Sequence, residues 1–299
     1  MIGAALRLPA EKLNWHGLCL MRVPGKQSGD SQFMTLERRP LFRCAMLAAF
    51  VAALALAPSL GRAQDAPGDC TAPTSTMLIG SPLTHTGARL MQGAPVKIVA
   101  IGSSSTAGAG ATDAAHAYPN QLALALNRRF PRSDVTVLNK GVNGEQTADM
   151  LARFDRDVFA EHPDLVVWQT GSNEILKNSN PEAFKRLVGE GLARLQAAGI
   201  ETILMDAQYA PAVLAKPVYA KINDTLRQLS QNSKVAFFDR FAAMRYWLNS
   251  GKQDLAHIVA KDQTHMSDAG YRCVGRTLAS LIAADMPPAI ATLTGLPAY

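Results

Sequence analysis

Hydrophobic residues fall along the chain in two alternating rhythms. Short apolar runs rich in β-branched residues stand at 96–101, 135–139, 165–170, 200–206 and 235–238, which is the length and composition of buried strands. Between them, apolar residues recur at spacings of three and four over 118–129, 146–159, 181–198 and 216–231, with further stretches of this kind at 241–248 and 267–284. That is the stripe an amphipathic helix turns toward a core. Five apolar strands, each followed by a helix, predict a parallel sheet covered on both faces, in a three-layer α/β/α fold. Right-handed crossovers and a strand order of 2-1-3-4-5 are the default topology. Pro119 suits a helix first turn and Gly199 a helix stop.

The first strand breaks abruptly into small residues, Gly102-Ser103-Ser104-Ser105-Thr106-Ala107-Gly108. Open α/β sheets place their ligands at the carboxyl ends of strands, so these hydroxyls include a candidate nucleophile. A serine cluster there also fits an ordinary loop or an anion-binding turn. Three further pieces bear on the choice. Asn139-Lys140-Gly141-Val142-Asn143-Gly144 follows the second strand, and Gly171-Ser172-Asn173-Glu174 follows the third. An asparagine carboxamide can donate to an oxyanion without a change of charge. Asp262-Gln263-Thr264-His265 precedes the last helix, followed by Ser267-Asp268-Ala269-Gly270-Tyr271. A carboxylate three residues before a histidine in a turn can accept the imidazole Nδ1–H and leave Nε2 free to take a proton. Asp254-Leu255-Ala256-His257 has the same spacing, but Leu255, Ile258 and Val259 predict a packed helix over 253–260. Asp206, Gln208 and Tyr209 close the fourth strand; they could line a cleft or be plain loop. His85, His116 and His162 have no such company. No HExxH or Cys/His cluster suggests a metal, and no Gly-Lys-Ser/Thr or GxGxxG suggests a nucleotide, so no cofactor is expected.

Taken in order, the four blocks resemble those of the SGNH (GDSL) hydrolases, over about residues 96–284. The resemblance implies a serine esterase with Ser104 as nucleophile, although Ser103 stands where the family has Asp in Gly-Asp-Ser-Leu-Thr-x-Gly. It implies Asp262 and His265 as the rest of a Ser-His-Asp triad. It also implies an oxyanion hole from the N–H groups of Ser104 and Gly144 and the side chain of Asn173. Glu174 replaces the last residue of the Gly-x-Asn-Asp block and receives no role. The expected substrates are small-molecule or glycan esters; an exported location, read from the leader below, points to acetylated polysaccharide, peptidoglycan or lipid esters. An acyltransferase using the same triad, and a non-catalytic flavodoxin-like binding module, are the alternatives. A Gly-x-Ser-x-Gly elbow is not met, since Thr106 stands two residues after Ser104.

Length changes this picture mainly at the front. A chain of 299 residues with 48% hydrophobic content can fill one such domain and leave a surplus. We expect 1–33 to be an upstream start extension, 34–63 an export signal, 64–94 an exposed lead-in, 95–290 the hydrolase domain and 291–299 a tail. The signal reads as Arg38, Arg39 and Arg43 ahead of a 14-residue apolar run at 44–57, with small Gly61 and Ala63 before a cleavage point. It fits a twin-arginine or an ordinary secretory signal, and implies a periplasmic or secreted protein. The run is short of the ~20 residues that span a bilayer, so no permanent membrane helix is expected. Residues 1–63 hold 8 Lys+Arg and 3 Asp+Glu of the chain's 30 and 24. The remainder is therefore nearly neutral, and nucleic acid is not an expected partner. Cys70 and Cys273 are the two cysteines of the exported part, either a disulfide between the N-terminal segment and the last helix or two buried thiols.

Overall fold

In the computed structural model, residues 70–73, 78–79 and 82–284 are described. The extension, the export signal and the tail lie outside the described residues. In chain order the elements are β1 (Leu78–Ile79), α1 (Thr84–Gln92), β2 (Val96–Gly102), α2 (Ser104–Ala107), α3 (Tyr118–Arg129), β3 (Val135–Gly141), α4 (Thr147–Ala152), α5 (Phe154–Asp157), β4 (Leu165–Gln169), α6 (Ser172–Leu176), α7 (Pro181–Ala197), β5 (Glu201–Met205), α8 (Pro211–Leu214), α9 (Tyr219–Asn232), β6 (Ala236–Phe238), α10 (Arg240–Asn249), α11 (Leu255–Ile258) and α12 (Asp268–Ala284). No helix among the described residues is long and apolar enough to cross a membrane.

The sheet runs β1-β6-β5-β4-β2-β3. Its strands β2 to β6 are parallel, so the expected five-stranded 2-1-3-4-5 order is met. β4 and β6 are buried at every residue, because helices cover both faces of the sheet. β3, at the edge, instead alternates buried Val135 and Val137 with exposed Thr136. Each fully buried Val, Leu or Ile contributes about 1.5–3 kcal/mol relative to exposure, so this core decides the fold. Trp168 on β4 is wholly buried; it lies edge-on to Phe154 with centroids 5.0 Å apart. Asn180 and Pro181 start α7 as a sequence cap should: the Asn180 carboxamide oxygen accepts the N–H groups of Glu182 and Ala183.

Two expectations need correction. The stretch 64–94 is not simply an exposed lead-in. Leu78 pairs antiparallel with Phe238, adding β1 to the sheet. Leu83 and Leu90 are buried in the core beside α1. The Glu201 carboxylate, from the start of β5, accepts the N–H groups of His85 and Thr86 at 2.7 and 2.9 Å, supplying from a distance the cap that Leu83 cannot. Cys70 and Cys273 are disulfide-bonded, which fastens the N-terminal segment to α12.

The helix expected over 146–159 is also broken, at Arg153. Its guanidinium is buried. It donates from Nη2 to the Gly102 carbonyl at 3.1 Å, from Nε to Glu145 at 2.8 Å and from Nη1 to Asp157 at 3.0 Å. Satisfying a buried cation outweighs one turn of regular helix. The Arg156 hydrogen bond, opposed by burial and aided by Arg153, holds the Asp157 carboxyl down to about 2.

Because this pKa is depressed in the folded state, its stabilisation is complete above the ordinary value of 3.8 and is lost as pH falls toward 2. Asp157→Asn should therefore cost on the order of 1–2 kcal/mol at pH 7, with the gap to wild type narrowing below about pH 4 and closing only below about pH 2 in urea unfolding. The disulfide closes a sequence separation of 203 residues. Cys70→Ser with Cys273→Ser should lower stability by about 2–4 kcal/mol. Unchanged denaturation midpoints would contradict this.

Candidate active site

The serine block leaves the carboxyl end of β2 and turns at once into α2. Ser103 is buried, while Ser104 is half-buried at the head of the turn. The buried Gln169 carboxamide at the end of β4 fixes that turn. Its Oε1 accepts from Ser103 N and Oγ at 3.1 Å each and from Thr106 Oγ1 at 3.2 Å. Ser103 is thus committed to the scaffold, and Ser104 is left facing outward.

The glycine block follows β3, the neighbour of β2. Gly102 pairs with Gly141, and Val142 N–H donates to the Gly102 carbonyl at 3.0 Å. A Cβ on Gly141 would lie 2.0 Å from Ala107 N. Only glycine lets the two loops approach this closely. Gly144 lies three residues further on, exposed. Asn173, in α6 at the end of β4, donates its side-chain N–H to the carbonyl of the adjacent Glu145 at 2.7 Å. Two of the three residues expected to form an oxyanion hole, Gly144 and Asn173, are therefore tied into one loop cluster. Glu174 turns away from it: its Oε1 accepts from Thr147 N at 2.6 Å and Thr147 Oγ1 at 2.7 Å, so it anchors the start of α4.

The fourth block comes back to the serine from the other end of the chain. Asp262 Oδ1 accepts the backbone N–H groups of Thr264 and His265 at 2.9 Å each. Its Oδ2 meets His265 Nδ1 at 2.6 Å, and His265 Nε2 meets Ser104 Oγ at 2.8 Å. With Nδ1–H donating to the carboxylate, Nε2 is free to accept from the hydroxyl. Burial pushes the Asp262 carboxyl up, but the hydrogen bonds from His265 and Thr264, with the His265 charge, hold it below the usual range. The His265 side chain is 21% exposed, so the line of three groups reaches solvent.

Three ties hold the histidine loop to the serine loop. Thr112 donates from N and Oγ1 to the two Asp268 oxygens at 2.8 and 2.7 Å. Tyr271 donates its hydroxyl to the Ala109 carbonyl at 2.6 Å. Gly110, at φ 89°, lies where a Cβ would meet the Met266 carbonyl at 2.6 Å and His265 Cβ at 2.9 Å. The rival side chains do not form a dyad: the Asp254 carboxylate caps α11 through Ala256 N–H, and His257 Nε2 is enclosed without a hydrogen-bond partner. His85 contacts Asp164 and His116 contacts Asp113, both on the surface.

Sequence reasoning missed the buried polar residues Gln169 and Arg240 beneath the site, and left Gln208 open between cleft lining and plain loop. Nothing in the local pattern separates a strand-end glutamine from a loop residue; the one available signal is a polar side chain closing a fully apolar strand. Beside them, burial, reinforced by the Asp239 charge and opposed by Arg240, pushes the Asp206 carboxyl well above the usual range.

Known proteins resemble this chain in sequence and in fold. An acetylxylan esterase of Geobacillus stearothermophilus is 26% identical over 164 residues, covering 50% of this chain and 74% of its own. An arylesterase of Vibrio mimicus is 23% identical over 135 residues, covering 45% of this chain and 60% of its own. Among solved structures, a two-domain esterase active on acetylated mannans superposes with a TM-score of 0.58 at 18% identity, over 76% of this chain and 58% of that one. The acetylxylan esterase Axe2 of Geobacillus stearothermophilus gives 0.54 at 20% identity, over 62% of this chain and 94% of its own. The sequence signature of the Non-GDSL lipase-like family matches residues 69–287, nearly the whole described domain. The chain belongs to the Non-GDSL lipase-like family, and the esterases above support the SGNH-type resemblance of its four blocks.

Proposed function

We propose that the protein is a serine esterase that hydrolyses carboxylic esters through an acyl-enzyme on Ser104. The observation that carries this reading is the unbroken line Asp262–His265–Ser104, with contacts of 2.6 and 2.8 Å. His265 Nε2 takes the proton of Ser104 Oγ as that oxygen attacks the ester carbonyl. Asp262, held ionised by its hydrogen bonds, keeps the imidazole in the required tautomer and stabilises the imidazolium. The tetrahedral oxyanion accepts from the N–H groups of Ser104 and Gly144 and from the Asn173 carboxamide. That carboxamide has two hydrogens; one is spent on Glu145 and fixes its plane, leaving the other for the oxyanion. Collapse expels the alcohol, which receives the proton from His265. Water, deprotonated by the same nitrogen, then cleaves the acyl-enzyme and restores Ser104.

Acetyl esters of polysaccharides are the substrate class we favour. It is the class on which the acetylxylan esterase and the mannan-active esterase named above work. We further propose that the protein is exported through the signal at 34–63. A disulfide supports this, because such bonds persist in oxidising compartments. Transfer of the acyl group to a sugar hydroxyl instead of water would use the same residues, and a product assay with competing acceptors distinguishes the two.

Stopped-flow hydrolysis of p-nitrophenyl acetate tests the chemistry. Wild type should show a burst of one nitrophenolate per active site, and Ser104→Ala should show neither burst nor turnover above buffer. Full activity in Ser104→Ala would overturn the assignment. Asn173→Ala should keep the burst stoichiometry while kcat falls about 10²- to 10³-fold, the usual scale for one oxyanion donor.

A further inference from the structure

The mechanism above makes no use of Gln208, which is 1% exposed and lies beyond the end of β5. Its carboxamide is nevertheless engaged on both sides. Oε1 accepts from Ser105 Oγ at 3.2 Å, Ser172 Oγ at 3.0 Å and Arg240 Nη2 at 3.1 Å. Nε2 donates to the Thr264 carbonyl at 2.8 Å. The orientation of the amide is forced, since a guanidinium can only donate and a carbonyl can only accept. Each of three of these partners is the chain neighbour of a residue in the candidate site. Ser105 follows Ser104, Ser172 precedes Asn173 and Thr264 precedes His265.

We propose that Gln208 is a positioning residue: one buried carboxamide sets the serine turn, the asparagine helix and the histidine loop relative to one another. The inference rests on the esterase reading given above. Its most consequential bond is the one to Thr264. Holding that carbonyl fixes the peptide plane leading into His265, and with it the direction in which the imidazole leaves the backbone. A second tie, Ala212 N–H to the Gln263 carbonyl at 3.0 Å, comes from the same segment. Loop 262–265 is therefore hung from the end of β5 as well as from the serine loop. Arg240, wholly buried, also donates from Nη2 to the Asp206 carbonyl at 2.6 Å. It holds the acceptor end of Gln208 still and polarises the amide, strengthening the N–H on the far side.

Gln208→Glu separates positioning from mere packing. The variant keeps the volume and an acceptor for Ser105, Ser172 and Arg240; in its ionised form it replaces the hydrogen given to Thr264 with a carboxylate oxygen and adds one negative charge beside Arg240. A displacement of about 1 Å at a reacting group costs on the order of 10²-fold. We expect kcat for p-nitrophenyl acetate, and the rate constant of the acylation burst, to fall by about that factor, with KM within about threefold of wild type and cooperative thermal unfolding retained. A folded Gln208→Glu protein with kcat within threefold of wild type would overturn the proposal, as would equal losses in kcat and in the fraction of protein folded. Should the variant not fold, Ser105→Ala combined with Ser172→Ala frees the same carboxamide from two anchors. It should lower kcat about tenfold at unchanged KM, the equivalent of one to two hydrogen bonds lost; unchanged kcat overturns the proposal. Ser104→Ala in the same assay reports separately on the esterase reading, because its retained activity would sink that reading whatever Gln208 does.

Discussion

The contact between His265 Nε2 and Ser104 Oγ joins loops 161 residues apart, and the rest of the domain exists in a form that keeps that contact closed. Bringing such distant segments together carries a loop-closure cost that the contact alone cannot repay. The hydrophobic core repays it. The apolar strands β2 and β4 fix the serine turn and α6 at one edge of the sheet. The last helix, α12, returns the histidine loop to that edge, held by Thr112–Asp268, Tyr271–Ala109 and the close approach at Gly110.

Beneath the loops lies a layer of buried polar groups. Gln169, Gln208, Arg153 and Arg240 are all under a tenth exposed, and a buried amide or guanidinium without partners would be strongly destabilising. Their bonds run to backbone carbonyls, hydroxyls and the Glu145 and Asp157 carboxylates at the carboxyl edge of the sheet. Such a layer makes conformations cooperative, since shifting one loop strands the polar groups of the next. The same geometry that makes the layer costly to disturb would keep the proposed oxyanion donors from having to reorganise when charge develops.

Much of this was legible in the sequence, for physical reasons. The core strands are buried on both faces, so their residues are apolar almost without interruption, and the sheet takes a default order of doubly wound sheets. The four blocks were readable because each is local: a few residues at a strand end, or a carboxylate three before a histidine. What stayed hidden depends on distant partners. α1 was read as lead-in because its Thr-His-Thr-Gly start has poor intrinsic helicity, and the cap that rescues it comes from Glu201. The break at Arg153 follows from where its guanidinium finds carboxylates and the Gly102 carbonyl. Gln169 read as an ordinary strand residue, and Gln208 could not be told from plain loop, because their partners lie dozens of positions away.

The central claim is that Ser104 is a nucleophile made reactive by His265. Incubating the purified protein with a fluorophosphonate and mapping the adduct by peptide mass spectrometry tests it most directly. The account predicts a single phosphonylated residue, Ser104, with labelling lost in His265→Ala although Ser104 remains in place. Stoichiometric labelling at another residue, or labelling of Ser104 at the wild-type rate in His265→Ala, would contradict it.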